Sequence, residues 1–438
     1  MANLAAPFRA SSAPADVLAL GNEFVDLLAK KDFAGAVARY DDTMRAALPE
    51  AKLREVWQTL QEQAGPFQKR LQSRLVQYGP YEIALVTCQF EQAKLDAKVV
   101  FNAEGKVSGL FFIPSTAGAE ATSAPPYART NAFREKEFTV GSGEWALPGT
   151  LTLPNDGSAG PWPAVVLVHG SGPNDRDESV GAVKVFRDLA WGLASKGIAV
   201  LRYEKRTKAY AAKLKAADLS SFTVREETID DALSAVRQLR KTPGIDPKRI
   251  FLLGHSLGGL VAPRIGRADP RLAGLIIMAG VTRPLEDVVI EQFRYLSSLN
   301  GEASESARQK LREMESQAAA IKKLTAADAS SPKRLLGAAA TYWLDLKAHN
   351  PVNEAKSLKQ PLLILQGGRD YQVTPENFED WKKALAERPD VTAKLYPRLN
   401  HLFVAGEGKS TPAEYDKAGN VDQAVVEDIA DWVHAAAR

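Results

Sequence analysis

The chain has 438 residues, more than one ordinary domain needs, and this length predicts two domains. Hydrophobic residues make up 45% of the chain and charged residues 25%, which is typical of a globular protein with a sizeable core. The net charge of +3 is spread along the sequence and forms no basic stripe, so the sequence gives no support for a nucleic-acid partner.

The sequence also restricts cross-links, membrane segments and export signals. Cys88 is the single cysteine, so an intramolecular disulfide and a cysteine-based zinc site are excluded, and its strand-like surroundings predict a packed core thiol. No apolar run is long enough to span a bilayer, and we expect a soluble protein. Residues 1–15 resemble a leader or disordered tail and lack the charged and apolar regions of a signal peptide. If a native signal peptide was replaced by the initial Met, the protein would be extracytoplasmic or secreted, so the compartment stays open.

Residues 16–114 are predicted to form a small α+β domain. Apolar residues at helical spacing predict helices as far as Gly65, and a period of two then predicts four strands separated by turns. Helices followed by an antiparallel meander form a domain with one helix-packed face. This element order resembles the cone-shaped domains related to the nuclear-transport-factor-2 fold, of the kind found ahead of bacterial hydrolases. The resemblance implies a positioning or binding role, and a homo-oligomer formed through this domain stays open.

The second domain is predicted to be of the α/β class. Residues 115–130 are rich in Ala, Ser, Thr and Pro, a composition typical of a linker. Over residues 131–438, apolar strands alternate with helical segments, which predicts a mostly parallel sheet with helices on both faces. Residues 284–357 lack strand character and read as amphipathic helices, which we expect to form a cap inserted between two core strands.

The stretch IFLLGHSLGG, Ile250–Gly259, combines a predicted buried strand with a possible nucleophile. Ser256 follows that strand and precedes a predicted helix, with Gly254 and Gly258 two residues away on either side. A nucleophilic serine at such a turn needs a strained backbone, and glycines remove side chains that would collide there. The G-x-S-x-G pattern alone arises by chance in roughly one such chain in ten. The strand–turn–helix context is therefore what favours a nucleophile over a plain turn serine.

A serine nucleophile needs a base, and the base needs a carboxylate to orient it. His401 follows the last predicted strand, and we predict that it is the base. Asp370 follows a buried strand in GGRD and is the predicted acid, with Asp287 and Glu286 as reserve candidates. The chain order Ser, Asp, His fits this type of triad. Other roles are expected for the remaining histidines, which are His169, His255, His349 and His434.

An oxyanion hole requires two backbone N–H donors. One is predicted at Leu257, the residue after the nucleophile. The other is predicted in the loop after the strand VVLVHG, at Ser171, with Gly172 as its rival.

Three further groups of residues have a functional and a structural interpretation. The charged cluster Asp175–Glu178 could orient substrate or form an ion-paired loop beside the oxyanion strand, and the second interpretation is favoured. Basic residues after the strand IAVL could meet a substrate carboxylate, but structural pairing with the acidic loop is favoured; they are Arg202, Lys205 and Arg206. Four cap aromatics could line an acyl pocket or pack as ordinary core, namely Phe293, Tyr295, Tyr342 and Trp343.

The motifs HGSG, GHSLGG, GGRD and NH occur in this order on the predicted strands and loops, and residues 133–438 resemble an α/β-hydrolase. HGSGPNDRDE is similar to bacterial esterases and hydrolases of the bile-acid-CoA:amino-acid acyltransferase-like and peptidase S9-like groups. The resemblance implies a serine esterase that cleaves small-molecule carboxylic esters through an acyl-enzyme, with no metal or organic cofactor. A thioesterase or peptidase with the same triad stays open, as does a non-catalytic binding protein on a hydrolase scaffold.

Overall fold

The computed structural model describes residues 16–78, 81–102, 104–115, 124–155, 157, 160–216, 219–299 and 301–436. The predicted tail over residues 1–15, and residues 116–123 of the predicted linker, lie outside the described residues. The chain divides into two compact units, Met1–Gly118 and Ala119–Arg438.

The first unit is a four-stranded antiparallel sheet preceded by helices. The helices are α1 (Val17–Ala29), α2 (Phe33–Ala38), α3 (Asp42–Ala47) and α4 (Glu50–Ala64). The strands are β1 (Phe67–Tyr78), β2 (Tyr81–Phe90), β3 (Lys94–Phe101) and β4 (Val107–Pro114), paired in chain order. This is the small α+β domain that the sequence predicts.

Capping and aromatic packing explain the bounds of the helices and the core of this unit. The Asp16 carboxylate accepts hydrogen bonds from the first turn of α1, and α4 is followed by Gly65, whose φ of 77° suits glycine. Trp57 of α4 packs with its ring centroid 5.8 Å from that of Phe90 on β2, so the helices cover this face of the sheet. Cys88 is fully buried beneath them, and burial raises the pKa of its thiol to about 12.

The second unit contains an eight-stranded, mostly parallel sheet in the order β14-β13-β12-β11-β7-β10-β6-β5. Its strands are β5 (Phe133–Val140), β6 (Leu147–Pro154), β7 (Trp162–Val168), β10 (Ala199–Tyr203), β11 (Ile245–His255), β12 (Gly274–Met278), β13 (Leu362–Gly367) and β14 (Val391–Tyr396). Within this sheet, as far as the structure describes it, only the pairs β5·β6 and β6·β10 are antiparallel. Every residue of β7, β10, β12 and β13 is buried, as expected of parallel strands covered on both faces.

Helices alternate with these strands, and a group of helices is inserted before β13. The first set is α5 (Val185–Ala194), α6 (Arg206–Ala209), α7 (Ala211–Ala216), α8 (Asp230–Leu239) and α9 (Leu257–Ala268). The inserted helices, in the predicted cap, are α10 (Leu285–Ser297), α11 (Glu305–Lys323), α12 (Ala340–Lys347) and α13 (Pro351–Lys356). The chain closes with α14 (Pro375–Ala384) and α15 (Gln423–Ala436).

Two local elements go beyond the sequence prediction. A short hairpin of β8 (Ser179–Val180) and β9 (Val183–Lys184) follows the charged cluster, and a π-helical turn, Arg225–Ile229, precedes α8. Neither is long enough to give a periodic hydrophobic signal.

The sheet brings the predicted site residues to one edge. The carboxyl ends of β7 and β11 lie side by side, with Val168 paired to Gly254, and those of β13 and β14 are paired at Gly367 and Tyr396. The segments containing all predicted catalytic residues therefore leave the sheet at its carboxyl edge.

Candidate active site

Ser256 occupies a sharp turn between β11 and α9. Its φ of 55° and ψ of −114° lie in a region that non-glycine residues seldom adopt. The Ser256 N–H donates to the Met278 carbonyl on the neighbouring strand at 2.9 Å, and its carbonyl accepts from the Leu260 N–H at 3.0 Å. The strained residue is thus fixed by hydrogen bonds on both of its sides.

The glycines around Ser256 are required by close backbone approach. A Cβ at Gly254 would collide with the Gly258 carbonyl, and a Cβ at Gly258 would collide with the Val168 carbonyl at the end of β7. A Cβ at Gly259 would lie 2.8 Å from the Gly280 Cα. All of these obstacles are backbone atoms, so the turn admits no side chain at these positions.

His401 and Asp370 form a close, buried pair. Nδ1 of His401 lies 2.7 Å from Oδ2 of Asp370. The other carboxylate oxygen of Asp370 accepts from the N–H groups of Gln372 and Val373 at 2.8 and 2.9 Å, and Gln366 donates to Oδ2 at 3.2 Å. The carboxylate is therefore held from several directions, and Nε2 of His401 is the ring nitrogen left for proton transfer.

His255 connects the base loop to the serine turn. Among the described residues, no hydrogen bond joins the Ser256 hydroxyl to His401. The preceding residue, His255, donates from Nε2 to the His401 carbonyl at 3.0 Å, and the two imidazole centroids are 4.7 Å apart. The loop that contains His401 is thus joined to the serine turn through the residue that precedes Ser256.

The loop after β7 also lies against the serine. A Cβ placed on Gly170 would be 3.2 Å from the Ser256 Cβ. Ser171, the next residue, is exposed, while Leu257 begins α9, where the first backbone N–H groups have no partner within the helix. Both predicted oxyanion donors thus belong to backbone next to Ser256.

A buried carboxylate, Glu178, connects this loop to His255. Its Oε1 accepts from the Gly170 N–H at 2.6 Å, and its Oε2 lies 3.0 Å from His255 Nδ1. Burial alone would raise the pKa of Glu178, but the charge of His255 and its hydrogen bonds hold that pKa below its ordinary value. Burial would likewise lower the pKa of His255, yet the Glu178 carboxylate raises it above its ordinary value.

The hydrogen-bond partners of His255 fix its protonation state. A carboxylate and a backbone carbonyl are both acceptors, so both ring nitrogens of His255 must donate. We infer an imidazolium paired with a carboxylate, directly behind the serine turn. The sequence did not reveal this pair, because the two residues are 77 positions apart.

The charged cluster and the basic residues make structural contacts. Arg202 donates to Asp177 at 2.9 Å, in the pairing with the acidic loop that the sequence favoured, and also to Glu135 of β5 at 2.9 Å. Lys205 and Arg206 pair with Glu227 and Asp231 instead of the acidic loop. Each of these three basic side chains is already paired with a carboxylate of the protein, so the contacts give no support for binding of a substrate carboxylate.

The remaining histidines and reserve acids have other partners. His169 is buried and bonds the Tyr203 carbonyl, His349 bonds Glu354, and His434 bonds the Lys196 carbonyl. Burial lowers the pKa of His169, which keeps it neutral. Asp287 pairs with Lys322, and the carboxylate that lies against Nδ1 of His401 is that of Asp370. Among the described residues, neither Asp287 nor Glu286 contacts His401.

The four cap aromatics differ in their surroundings. Phe293 and Trp343 pack in two small apolar clusters of the cap. Tyr295 stacks on Tyr371 with centroids 4.9 Å apart, and Tyr342 donates to Glu227 at 2.7 Å. Each of these side chains therefore has a packing, stacking or hydrogen-bond partner.

The described residues present neither a cluster of metal-ligating side chains nor a membrane-spanning helix. No group of three or more His, Cys, Asp or Glu side chains in the described part of the chain could hold a metal ion. Over the same residues, no helix has both the length and the apolar character of a membrane span.

Two protein-family models match the chain. Residues 161–408 match the family described as "Serine aminopeptidase, S33", and residues 22–110 match one described as "Protein of unknown function (DUF3887)". The first match covers the sheet edge with Ser256, Asp370 and His401.

A curated relative and several solved structures are similar to the chain. Esterase EstD of Thermotoga maritima is 40% identical over 410 residues, 94% of this chain and 93% of the relative. Est1E from Butyrivibrio proteoclasticus aligns with a TM-score of 0.43 and 15% identity over 69% of this chain and 98% of its own. A structure described as a dienelactone hydrolase from Klebsiella pneumoniae aligns with a TM-score of 0.40 and 17% identity over 69% of this chain and 99% of its own.

Proposed function

The chain belongs to the α/β-hydrolase family described as serine aminopeptidase S33 and is a carboxylic ester hydrolase, and we propose that it works through a Ser256–His401–Asp370 triad. The esterase named among its relatives matches nearly the whole chain. The observation that supports the proposal is the buried His401–Asp370 pair at 2.7 Å, whose loop is joined through a hydrogen bond of His255 to the strained turn of Ser256.

In the first half-reaction, Ser256 Oγ attacks the ester carbonyl carbon while its proton passes to Nε2 of His401. The resulting imidazolium is stabilised by Asp370, whose geometry also fixes the ring tautomer. The negative oxygen of the tetrahedral intermediate accepts hydrogen bonds from the N–H groups of Leu257 and Ser171. Collapse breaks the ester C–O bond, and the leaving alcohol takes the proton from His401, which produces an acyl-enzyme.

In the second half-reaction, water gives a proton to His401 and attacks the acyl carbonyl. The second tetrahedral intermediate uses the same two N–H donors. Its collapse returns the proton to Ser256 and releases the carboxylic acid.

Steady-state hydrolysis of p-nitrophenyl esters tests the proposal. Ser256→Ala should lower kcat by about four orders of magnitude or more, because the nucleophile is gone. Ser142→Ala is the matched control, since Ser142 is exposed in the same unit and its side chain caps no helix. Wild-type-like turnover by Ser256→Ala would refute the assignment.

Peptide hydrolysis is a second candidate, because the matching family model is described as a serine aminopeptidase. Peptide and ester cleavage pass through the same tetrahedral intermediate, so the triad alone does not separate them. Aminoacyl anilides and acyl-CoA thioesters should be compared with p-nitrophenyl esters by kcat/KM. A higher kcat/KM for an anilide would favour the peptidase.

A further inference from the structure

The peptide between Gly170 and Ser171 has two distinct sides. Its N–H belongs to Ser171 and is a proposed oxyanion donor, while its carbonyl belongs to Gly170. In a trans peptide these two groups point in opposite directions within one plane. Whatever holds the Gly170 carbonyl therefore also sets the direction of the Ser171 N–H.

Two side chains donate to the Gly170 carbonyl. Nζ of Lys205 lies 2.8 Å from the carbonyl oxygen, and Nδ2 of Asn174 lies 3.1 Å from it. Lys205 is only 2% exposed, which is exceptional for a lysine. On the other side of the same residue, Glu178 accepts from the Gly170 N–H, so two buried charged side chains hold this glycine.

Glu227 holds the Lys205 side chain in place. Its Nζ forms an ion pair with Glu227 at 2.6 Å, and Glu227 lies in the π-helical turn before α8. The other carboxylate oxygen of Glu227 accepts from the Tyr342 hydroxyl of α12 at 2.7 Å. Burial, and then the Glu227 carboxylate, raise the pKa of Tyr342 well above its ordinary value, so this hydroxyl remains a donor.

We propose that Lys205, assisted by Asn174, is a positioning residue for the oxyanion hole, acting through the Gly170 carbonyl. The inference rests on the proposed function and extends it. A bond from a charged donor to the carbonyl restrains the peptide plane and polarises the N–H on its far side. Lys205 does not touch substrate; its effect reaches the reacting oxygen through the Ser171 N–H.

The test compares turnover with binding of a transition-state analogue. Lys205→Met alone would leave Glu227 buried without a partner, so the variant to use is Lys205→Met/Glu227→Gln. Kinetics on p-nitrophenyl butyrate and inhibition by a trifluoromethyl ketone, which forms a tetrahedral adduct with the serine, are measured in parallel. Lys208→Met, an exposed lysine three residues away, is the control that should change neither quantity.

We expect kcat of the double variant to fall roughly 10- to 100-fold, somewhat less than the loss from deleting an oxyanion donor. KM should stay within about threefold, and the inhibition constant of the ketone should rise by the same factor as kcat/KM falls. Unchanged kcat with unchanged inhibition would overturn the inference. A fall in kcat without weaker inhibition would also overturn it, since the loss would then lie outside the oxyanion hole.

Asn174→Ala provides a second test that does not depend on folding of the double variant, because Asn174 is only partly buried. Its removal should lower kcat/KM and ketone affinity together, by roughly three- to tenfold. Loss of one without the other would contradict the inference. The two proposals fail separately: activity remaining in Ser256→Ala rejects the triad, whereas an inactive Ser256→Ala with a fully active double variant rejects only the role of Lys205.

Discussion

At the scale of single residues, the Glu178–His255 pair makes the serine turn depend on two buried charges. Removing one partner of such a pair leaves the other charge unpaired, while removing both relieves that penalty. We therefore predict that His255→Leu lowers the free energy of unfolding by roughly 3 kcal/mol or more. The double variant Glu178→Gln/His255→Leu should lose less free energy of unfolding than His255→Leu alone. Urea denaturation at pH 6 measures both, and a double variant less stable than His255→Leu would contradict the ion pair.

The same pair predicts a pH dependence of stability. The pKa of His255 is raised, so its contribution is complete below the unfolded value of about 6.5 and is lost as pH rises through the folded pKa. The pKa of Glu178 is lowered, so its contribution is present above the unfolded value of about 4.3 and is lost as pH falls through the folded pKa. The stability gap between wild type and the double variant should be widest between these two unfolded values. Denaturation from pH 3 to 9 checks this, and a constant gap would count against both shifts.

At the scale of elements, the serine turn is specified by backbone contacts. A Cβ at Gly258 would meet the Val168 carbonyl, whereas a Cβ at Gly266, on the same helix, would meet only the movable Leu275 side chain. We predict that Gly258→Ala abolishes most ester turnover. It should also lower the free energy of unfolding by more than the roughly 1–3 kcal/mol that is usual for overpacking. Gly266→Ala should keep its turnover. Ester kinetics and thermal unfolding of both variants test this prediction. An active and stable Gly258→Ala variant would contradict it, because the turn would then tolerate a side chain.

The sequence predicted the fold best where a single strand or helix has a regular pattern of apolar residues or glycines. Continuous apolar runs predicted β7, β11, β12 and β13, and glycine spacing located Ser256 at a strand end. Side-chain contacts between distant segments have no such pattern. The Lys205–Gly170 contact joins residues 35 positions apart, and the sequence alone suggested that Lys205 would pair with the acidic loop. The pairing with Glu227 instead depends on a π-helical turn too short to predict.

At the scale of the whole molecule, the two units have separate hydrophobic cores, and all of the proposed catalytic residues belong to the second. Residues 124–130, part of the predicted linker, are bound within that unit. Tyr127 donates to the Val421 carbonyl at 2.7 Å, and the Arg129 N–H donates to Ser195 Oγ at 2.9 Å. This part of the linker should therefore contribute to the stability of the hydrolase.

Truncation tests where the hydrolase begins. A fragment of residues 124–438 should be more stable than one of residues 131–438, by about 2 kcal/mol or more, because the shorter fragment loses a packed tyrosine and the hydrogen bonds that Tyr127 and Arg129 donate to Val421 and Ser195. Urea denaturation of both fragments measures the difference, and equal stability would contradict it.

The role of the first unit is tested by comparing the kinetics and oligomeric state of the 124–438 fragment with those of the full chain. Unchanged values would remove a role for that unit in positioning substrate or a second subunit.

The most direct test of the proposed triad is site mapping with a labelled fluorophosphonate, followed by mass spectrometry of the digested protein. The proposal predicts a single adduct on Ser256 in the wild type, and labelling roughly a hundredfold slower or more in His401→Ala, because the serine would have lost its base. An adduct on another residue, or wild-type labelling speed in His401→Ala, would contradict it.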